Sequence, residues 1–242
     1  MTYYPPESVG WGNVALCISD LVYRSPTPRV YKSLCDFDRG VDFSGFEITD
    51  DPDDTPFEPR IAINPTYYHQ VHSNLKDVIK PNVELQKLIE VHDHGLIHGI
   101  HIRRGACSDD SASMGCNGVD ENGEIKPAKD SALNKFIEVV ENTDAKFFLA
   151  SDSQGVKEMF KKRFPDKIVT LDNKLTLTYD CKVLKNVGIT KEERYGAYLD
   201  WFLLSKCKEL YITAGNQDLT DLSTFGYSAG AYGRSNIHFV FN

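Results

Sequence analysis

The chain has 242 residues, of which 41% are hydrophobic, 26% charged and 11% aromatic. This composition excludes wholesale disorder and allows one large α/β domain or two small ones. The formal net charge of −8 excludes a long nucleic acid as a partner, because its phosphate backbone would be repelled. The chain lacks a run of roughly 20 apolar residues that could span a bilayer and has no signal-like start. With six scattered cysteines and no Cys-x-x-Cys pair, we expect a soluble, cytoplasmic protein.

The first ninety residues are rich in Pro, Tyr and Asp and are predicted to be irregular. One local signal lies near the start, where Gly10, Gly12 and Asn13 precede the apolar run 14–18. A Gly-x-Gly-Asn segment at this place predicts a tight turn into a helix whose free N–H groups face a ligand or the next domain. A plain helix start without a ligand is the alternative.

After residue 83 the pattern changes to short apolar runs that alternate with amphipathic periods. Leu133, Phe136, Ile137 and Val140 recur at helical spacing and predict one helical face. Strands that alternate with helices predict right-handed βαβ units and a mostly parallel sheet, with ligands beyond the carboxyl ends of the strands. We predict strands near 96–102, 146–150, 167–171, 210–213 and 237–241, and helices near 83–89, 130–140, 156–160 and 195–203.

Two adjacent arginines, Arg103 and Arg104, follow the strand that contains His101. Successive side chains of an extended chain point to opposite sides, so one arginine can brace the fold while the other points into a cleft. A guanidinium group matches a diphosphate by paired hydrogen bonds. The Arg pair therefore indicates a phosphate-bearing ligand, although a pair of surface salt bridges is the alternative when the motif is taken alone.

Two later segments support the same kind of ligand. Asp152 comes directly after the strand predicted at 146–150, and Ser223, Thr224, Phe225 and Gly226 follow a late strand. Hydroxyl groups and backbone N–H groups at a strand-to-helix turn form an anion cradle. An Asp or Ser before a helix is often only a cap, but the three segments in this order indicate one nucleotide-type ligand.

At these residues the chain resembles the inverting GT-B fucosyltransferase superfamily, which includes α-1,2-, α-1,6- and protein O-fucosyltransferases. His101-Ile102-Arg103-Arg104-Gly105 is similar to the first motif of that superfamily and Leu149-Ala150-Ser151-Asp152 to the second. The stretch 198–205 is similar to the helix before the third motif, and 223–227 to the third motif itself. The resemblance is strong over 97–233 and thin before residue 90.

The resemblance implies metal-independent transfer from GDP-fucose or a related GDP-deoxyhexose to a glycan hydroxyl, with inversion and without a cofactor. It implies a GT-B-like α/β fold with a shortened acceptor-side lobe over 1–90 and a Rossmann-like nucleotide-sugar lobe over 91–242. The donor-binding residues that it implies are His101, Arg103, Arg104, Asp152, Asp200, Ser223, Thr224, Phe225 and Gly226, together with Gly12 and Asn13.

The catalytic residues are predicted to be Arg104, facing the leaving diphosphate, and Asp130, as the base that accepts the proton of the acceptor hydroxyl. The resemblance places a carboxylate near Asp130, whereas a helix N-cap is an equally plausible role for it. Ala106 stands where the superfamily commonly has Asp, so that carboxylate is missing or is supplied by Asp109 or Asp110.

Three alternatives remain from the sequence. A nucleotide- or glycan-binding protein without turnover would explain the missing carboxylate at Ala106 and the short first lobe. A metal-dependent GT-A transferase would use Asp51 and Asp53, but no buried strand precedes them. A zinc site could use the histidines at 92, 94, 98 and 101. However, these histidines run through a loop into a strand, so His94 and His98 are not expected to share one face as they would on a helix.

Overall fold

The computed structural model describes residues 1–4, 11–31, 40–50, 71–104, 130–172, 191–215 and 222–242. The described helices are α1 (Trp11–Arg24), α2 (Leu75–Val78), α3 (Val83–His92), α4 (Asp130–Asn142), α5 (Gln154–Arg163), α6 (Lys191–Lys206) and α7 (Thr224–Gly233). The described strands are β1 (Thr2–Tyr3), β2 (Arg29–Tyr31), β3 (Val41–Phe43), β4 (Glu47–Thr49), β5 (Ile79–Pro81), β6 (His98–Ile102), β7 (Phe147–Ser151), β8 (Ile168–Val169), β9 (Glu209–Gly215) and β10 (Asn236–Phe241).

The main sheet has five strands in the order β10-β9-β6-β7-β8. Every neighbouring pair in it is parallel. Strands β6, β7 and β9 lie side by side, so the residues that follow them meet at one edge of the sheet. The predicted α/β class with a parallel sheet is confirmed, and so are the five strands that were expected in it.

The helices around this sheet begin where side chains satisfy free N–H groups. Asn82 accepts a hydrogen bond from the N–H of Leu85 at 2.9 Å at the start of α3. Ser153 accepts from Val156 at 3.2 Å at the start of α5. An oxygen at the N-cap satisfies a donor that has no partner inside the helix. These caps fix the points at which the chain leaves a strand, β5 or β7, and enters a helix.

The amino-terminal part contains more regular structure than expected. Strands β1, β2 and β4 form a parallel sheet, and β3 pairs antiparallel with β5. The expectation of an irregular first ninety residues was wrong over these segments. Strands of two or three residues are too short to show the period-two alternation by which a strand is recognised in a sequence. The predicted lobe boundary at residue 90 stays a prediction.

The core lies on both faces of the main sheet, because successive residues of a strand point to opposite faces. On one face, Phe136 and Phe160 of α4 and α5 pack against Ile100 and Leu149. On the other face a larger cluster extends from the sheet into α1 and α6, with Trp201 fully buried. Trp11 packs edge-on against Trp201, with the ring centroids 5.6 Å apart. One apolar core therefore joins the amino-terminal helix to the helices of the main sheet.

Helices α6 and α7 touch backbone to backbone at the amino edge of the sheet. A Cβ atom added to Gly233 would lie 1.9 Å from the carbonyl oxygen of Ser205. No side chain can occupy that space unless the two helices separate. None of the helices in the described ranges is long and apolar enough to cross a membrane.

We expect Gly233→Ala to lower the free energy of unfolding by about 1–3 kcal/mol, the usual cost of overpacking. The matched control is Gly230→Ala on the same helix, where the added Cβ meets side-chain atoms only: Cδ1 and Cγ1 of Ile237 at 2.6 and 2.8 Å and Cδ2 of Leu210 at 3.1 Å. Side chains can move more easily than a backbone carbonyl, and Ala favours the helix over Gly by about 1 kcal/mol, so we expect a smaller loss for this variant. Urea unfolding of both variants measures the difference, and equal losses would contradict the backbone contact.

Candidate functional site

Several of the predicted site residues lie at the carboxyl edge of the main sheet. Arg103 and Arg104 follow β6, Asp152 follows β7, and Ser223 precedes α7, which packs against the sheet. Ser223 is tied to the neighbouring strand by its N–H, which donates to the carbonyl of Thr213 on β9 at 3.0 Å. The structure therefore brings together residues that are more than 120 positions apart in the chain.

His101 is the centre of this group. Its Nδ1 lies 2.8 Å from the hydroxyl oxygen of Ser223. Its ring stacks on Phe225, with the centroids 5.1 Å apart and the ring planes at 30°. Gly226 packs on the same imidazole, and a Cβ atom there would be only 3.0 Å from the Cβ and Nδ1 of His101. The first turn of α7 thus fits around one buried histidine.

The electrostatic surroundings keep His101 neutral. Burial, together with the positive charges of Arg103 and Lys157, lowers the pKa of His101 to about 3. A neutral imidazole has one N–H donor and one nitrogen acceptor. His101 can therefore donate one hydrogen bond and accept one at physiological pH, but it cannot supply a positive charge.

The backbone of both arginines is held by neighbouring strands. The N–H of Arg103 donates to the hydroxyl of Thr213 on β9 at 3.1 Å. The N–H of Arg104 donates to Oδ1 of Asp152 at 2.7 Å. One oxygen of Asp152 thus positions Arg104, which is a structural role that the sequence did not indicate. Its predicted role in nucleotide binding stays a prediction.

The amino-terminal helix reaches this edge through Gly12. A Cβ atom at Gly12 would lie 2.4 Å from the amide nitrogen of Phe225 and 2.5 Å from the carbonyl carbon of Thr224. The first turns of α1 and α7 are therefore in direct backbone contact, and Asn13 lies in the same turn as Gly12. The N-terminus of a helix carries free N–H groups and a partial positive charge. Two such termini meet beside the Arg pair.

Asp200 belongs to a buried ion pair below the edge. It lies on α6 with 3% exposure, and its Oδ2 is 3.6 Å from the ammonium of Lys157 on α5. Lys157 is 1% exposed and also donates to the carbonyl of Leu171 at 3.2 Å. Lys157 is not among the residues predicted from the sequence. Its one signal there is its place between Val156 and Phe160 on the buried side of α5.

Other candidate residues are less informative. Asp130 is the first residue of α4, and its side chain lies outside the described part, so its role as base or cap stays a prediction. Ala106, Asp109, Asp110, Asp51 and Asp53 also lie outside the described residues. In the ranges that the structure does describe, no group of three His, Cys, Asp or Glu side chains could hold a metal ion.

A cavity of about 650 Å³ lies at the opposite edge of the sheet. It is lined by Ile97 and Lys208, which precede β6 and β9, and by the last residues of α6 and α7. None of the predicted site residues lines it. Because ligands of parallel α/β sheets bind at the carboxyl ends of strands, the candidate site is the edge that carries His101 and the Arg pair.

We expect the depressed pKa of His101 to weaken the fold in acid. Between about pH 6.5 and 3 the unfolded chain binds a proton at this residue that the folded chain does not bind. Stability is therefore lost as the pH falls below 6.5, by about 2 kcal/mol at pH 5 for this one group. His101→Phe should reduce the difference in unfolding free energy between pH 7 and pH 5 by about that amount, as measured by urea unfolding.

The control for this measurement is His94→Phe, at an exposed position in the loop before β6. That variant should keep the pH dependence of the wild-type protein. If His101→Phe also kept it, the buried neutral state of His101 would be refuted.

The comparisons with known proteins agree with this geometry at the level of fold. No protein-family model matches the sequence, and no curated protein is significantly similar to it. Among solved structures, the chain is similar to NodZ alpha-1,6-fucosyltransferase co-crystallized with GDP, with a TM-score of 0.52 and 15% identity, over 94% of this chain and 91% of that chain. It is also similar to Se-Met fucosyltransferase NodZ from Bradyrhizobium, with a TM-score of 0.53 and 16% identity, over 96% of this chain and 91% of that chain.

These matches extend over nearly the whole chain, beyond the segment 97–233 in which the motifs were found. A further match, to POFUT1 in complex with GDP, has a TM-score of only 0.40 over 71% of this chain and 50% of that chain, which is too low to establish a common fold. The resemblance to GT-B fucosyltransferases is thus confirmed in fold: the chain shares the α/β fold of the fucosyltransferase NodZ.

Proposed function

We propose that this chain is a glycosyltransferase that transfers fucose, or a related deoxyhexose, from a GDP-sugar to a hydroxyl group of a glycan. The observation that carries the proposal is the backbone contact of Gly12 with Thr224 and Phe225. It brings two helix N-termini to the strand edge from which Arg103 and Arg104 leave. NodZ was co-crystallized with GDP and soaked with GDP-fucose, which supports the same donor class here.

The diphosphate of the donor is proposed to lie at the two helix N-termini. N–H groups of both first turns and the guanidinium of Arg104 would face its oxygens. When the bond between the sugar and the phosphate breaks, negative charge grows on the leaving diphosphate. Donors that are already fixed in place stabilise that charge without reorganisation. The hydrogen bonds that hold the backbone of Arg103 and Arg104 to Thr213 and Asp152 support this role.

The nucleoside is proposed to lie near His101 and Asp200. A guanine base offers neighbouring N–H donors together with acceptors. A neutral imidazole can provide either a donor or an acceptor, and a carboxylate accepts from N–H groups. The neutral state of His101 and the ion pair of Asp200 with Lys157 support recognition of a base rather than of a phosphate.

The transfer itself is proposed to be a displacement with inversion at the anomeric carbon. The acceptor oxygen bonds to that carbon on the face opposite the diphosphate, while the bond to the leaving oxygen breaks and its electron pair stays on the diphosphate. The proton of the acceptor hydroxyl passes to a base, for which Asp130 is the proposed residue. No step of this scheme requires a metal ion, because Arg and N–H groups meet the charge.

A binding protein that uses the same donor site without turnover is the second candidate. The observation that favours it is Ala106, which stands where the superfamily commonly has Asp. The two candidates agree on nucleotide binding and differ only in the release of GDP from GDP-fucose.

We expect GDP to stabilise the fold and UDP not to. A ligand at one hundred times its dissociation constant adds about 2.7 kcal/mol of stability. For a chain of this length that corresponds to a rise of roughly 5–10 °C in Tm. Thermal melting with GDP, UDP, ADP and CMP measures the effect. Equal shifts with GDP and UDP would remove the guanine preference, and no shift with any nucleotide would remove the donor site.

We also expect slow release of GDP from GDP-fucose in excess EDTA, because water can replace the acceptor at a low rate. Arg104→Lys should lower that rate by about 10²-fold or more, since a point charge cannot replace a guanidinium group that binds two oxygens.

Asp130→Asn should lower the rate of GDP release by about 10²–10⁴-fold, because the variant has lost the proposed base. The affinity for GDP should stay unchanged, because Asn caps a helix about as well as Asp.

Each other outcome of this assay has a defined meaning. Loss of activity in EDTA that manganese restores would favour a metal site at Asp51 and Asp53. GDP binding without any release would favour the binding protein. Wild-type rates in Arg104→Lys or Asp130→Asn would remove the role proposed for that residue.

A further inference from the structure

Lys157 is a charged side chain in the interior of the protein. It is 1% exposed on α5, whereas Lys161, one turn later, is 45% exposed and pairs with Asp172 at the surface. Lys157 reaches inward, donates to the carbonyl of Leu171 at 3.2 Å and lies 3.6 Å from Oδ2 of Asp200. It thereby links α5, the end of β8 and α6 below the edge at which the nucleotide is proposed to bind.

Stability alone is a weak explanation for such a pair. Removing two charges from water costs several kcal/mol per ion, and apolar side chains of similar volume are often as stabilising. The pair does not stand apart from the candidate site, because the charge of Lys157 also acts on His101, near which the nucleoside is proposed to lie. A lysine at this place can set the charge and the direction of the carboxylate of Asp200, the second residue proposed to lie near the nucleoside.

We propose that Lys157 is a positioning residue that keeps Asp200 ionised and oriented toward the N–H groups of the donor's base. This inference rests on the proposed function, because it needs a nucleotide at the site. Without a neighbouring cation a buried carboxyl group favours its protonated form. A protonated carboxyl accepts fewer hydrogen bonds and would recognise the base poorly.

The charged groups around this pair come from several elements. Lys157 lies on α5, Asp200 on α6, His101 and Arg103 on or just after β6, and Asp172 after β8. His101 is neutral between pH 5.5 and 8.5, because its pKa lies at about 3. We expect the replacement of Lys157 to favour the protonated form of Asp200, the buried carboxylate whose Oδ2 lies 3.6 Å from the ammonium.

The experiment measures dissociation constants by calorimetry for GDP and for inosine diphosphate, whose base lacks the 2-amino group, between pH 5.5 and 8.5. For wild-type protein we expect GDP to be preferred by about 10- to 100-fold, the value of a hydrogen bond to a charged group. Lys157→Met should weaken GDP binding by a similar factor at pH 6 and reduce the preference for GDP to near one. The ratio of variant to wild-type constants should fall toward one at pH 8.5, as Asp200 ionises.

The control is Lys161→Met, which removes an exposed lysine from the same helix and should leave both constants unchanged. Wild-type affinity, preference and pH profile in Lys157→Met would overturn the inference alone. A wild-type protein that binds no nucleotide would instead overturn the proposed function, and this inference with it.

A second variant covers the case in which Lys157→Met does not fold. Lys157→Met combined with Asp200→Asn removes both charges of the pair, so no buried charge is left without its counterion. We expect this double variant to prefer GDP less than the wild-type protein does, by a ratio that does not change with pH, because the neutral amide oxygen of Asn accepts a weaker hydrogen bond than a carboxylate. If it kept the wild-type preference for GDP, the pair would have no part in recognising the base.

Discussion

The direct contact between the backbones of α1 and α7 is the constraint on which the candidate site depends. At Gly12 the space for a side chain is already filled by the backbone of Thr224 and Phe225. The contact sets the distance between two helix N-termini, and through α7 it also sets the position of Ser223 against His101. A substitution at Gly12 would therefore move the amino-terminal helix away from the whole group of predicted donor-binding residues.

Beneath this contact the site is built from buried polar groups that compensate one another. His101 is neutral because burial and two nearby cations disfavour its charged form. Lys157 and Asp200 form an ion pair in the interior, with Nζ and Oδ2 3.6 Å apart. Ser151 donates to the carbonyl of Ile102 at 2.7 Å and accepts from the N–H of Ser153 at 3.1 Å, which joins the ends of β6 and β7. Each polar group near the edge thus positions another one.

The sequence predicted the main sheet well because its strands are apolar runs separated by amphipathic helices. The order of the motifs along the chain also predicted which strand ends would meet, since parallel neighbours share one edge. The strands of two or three residues before residue 82 were missed because so few residues show no periodicity. Lys157 was missed for another reason: its burial depends on Asp200 and Leu171, which are distant in the chain, and no local pattern reports such a partner.

Helix α7 is held at both ends by contacts that its backbone makes, without any of its side chains. Gly12 meets its first turn at the carboxyl edge of the sheet, and its last residue, Gly233, meets Ser205 at the amino edge. A helix fixed in this way cannot slide or tilt without separating one of the two backbones. A movement of α7 alone would break one of these two contacts, so we expect α1, α6 and α7 to move together in any closure around a ligand.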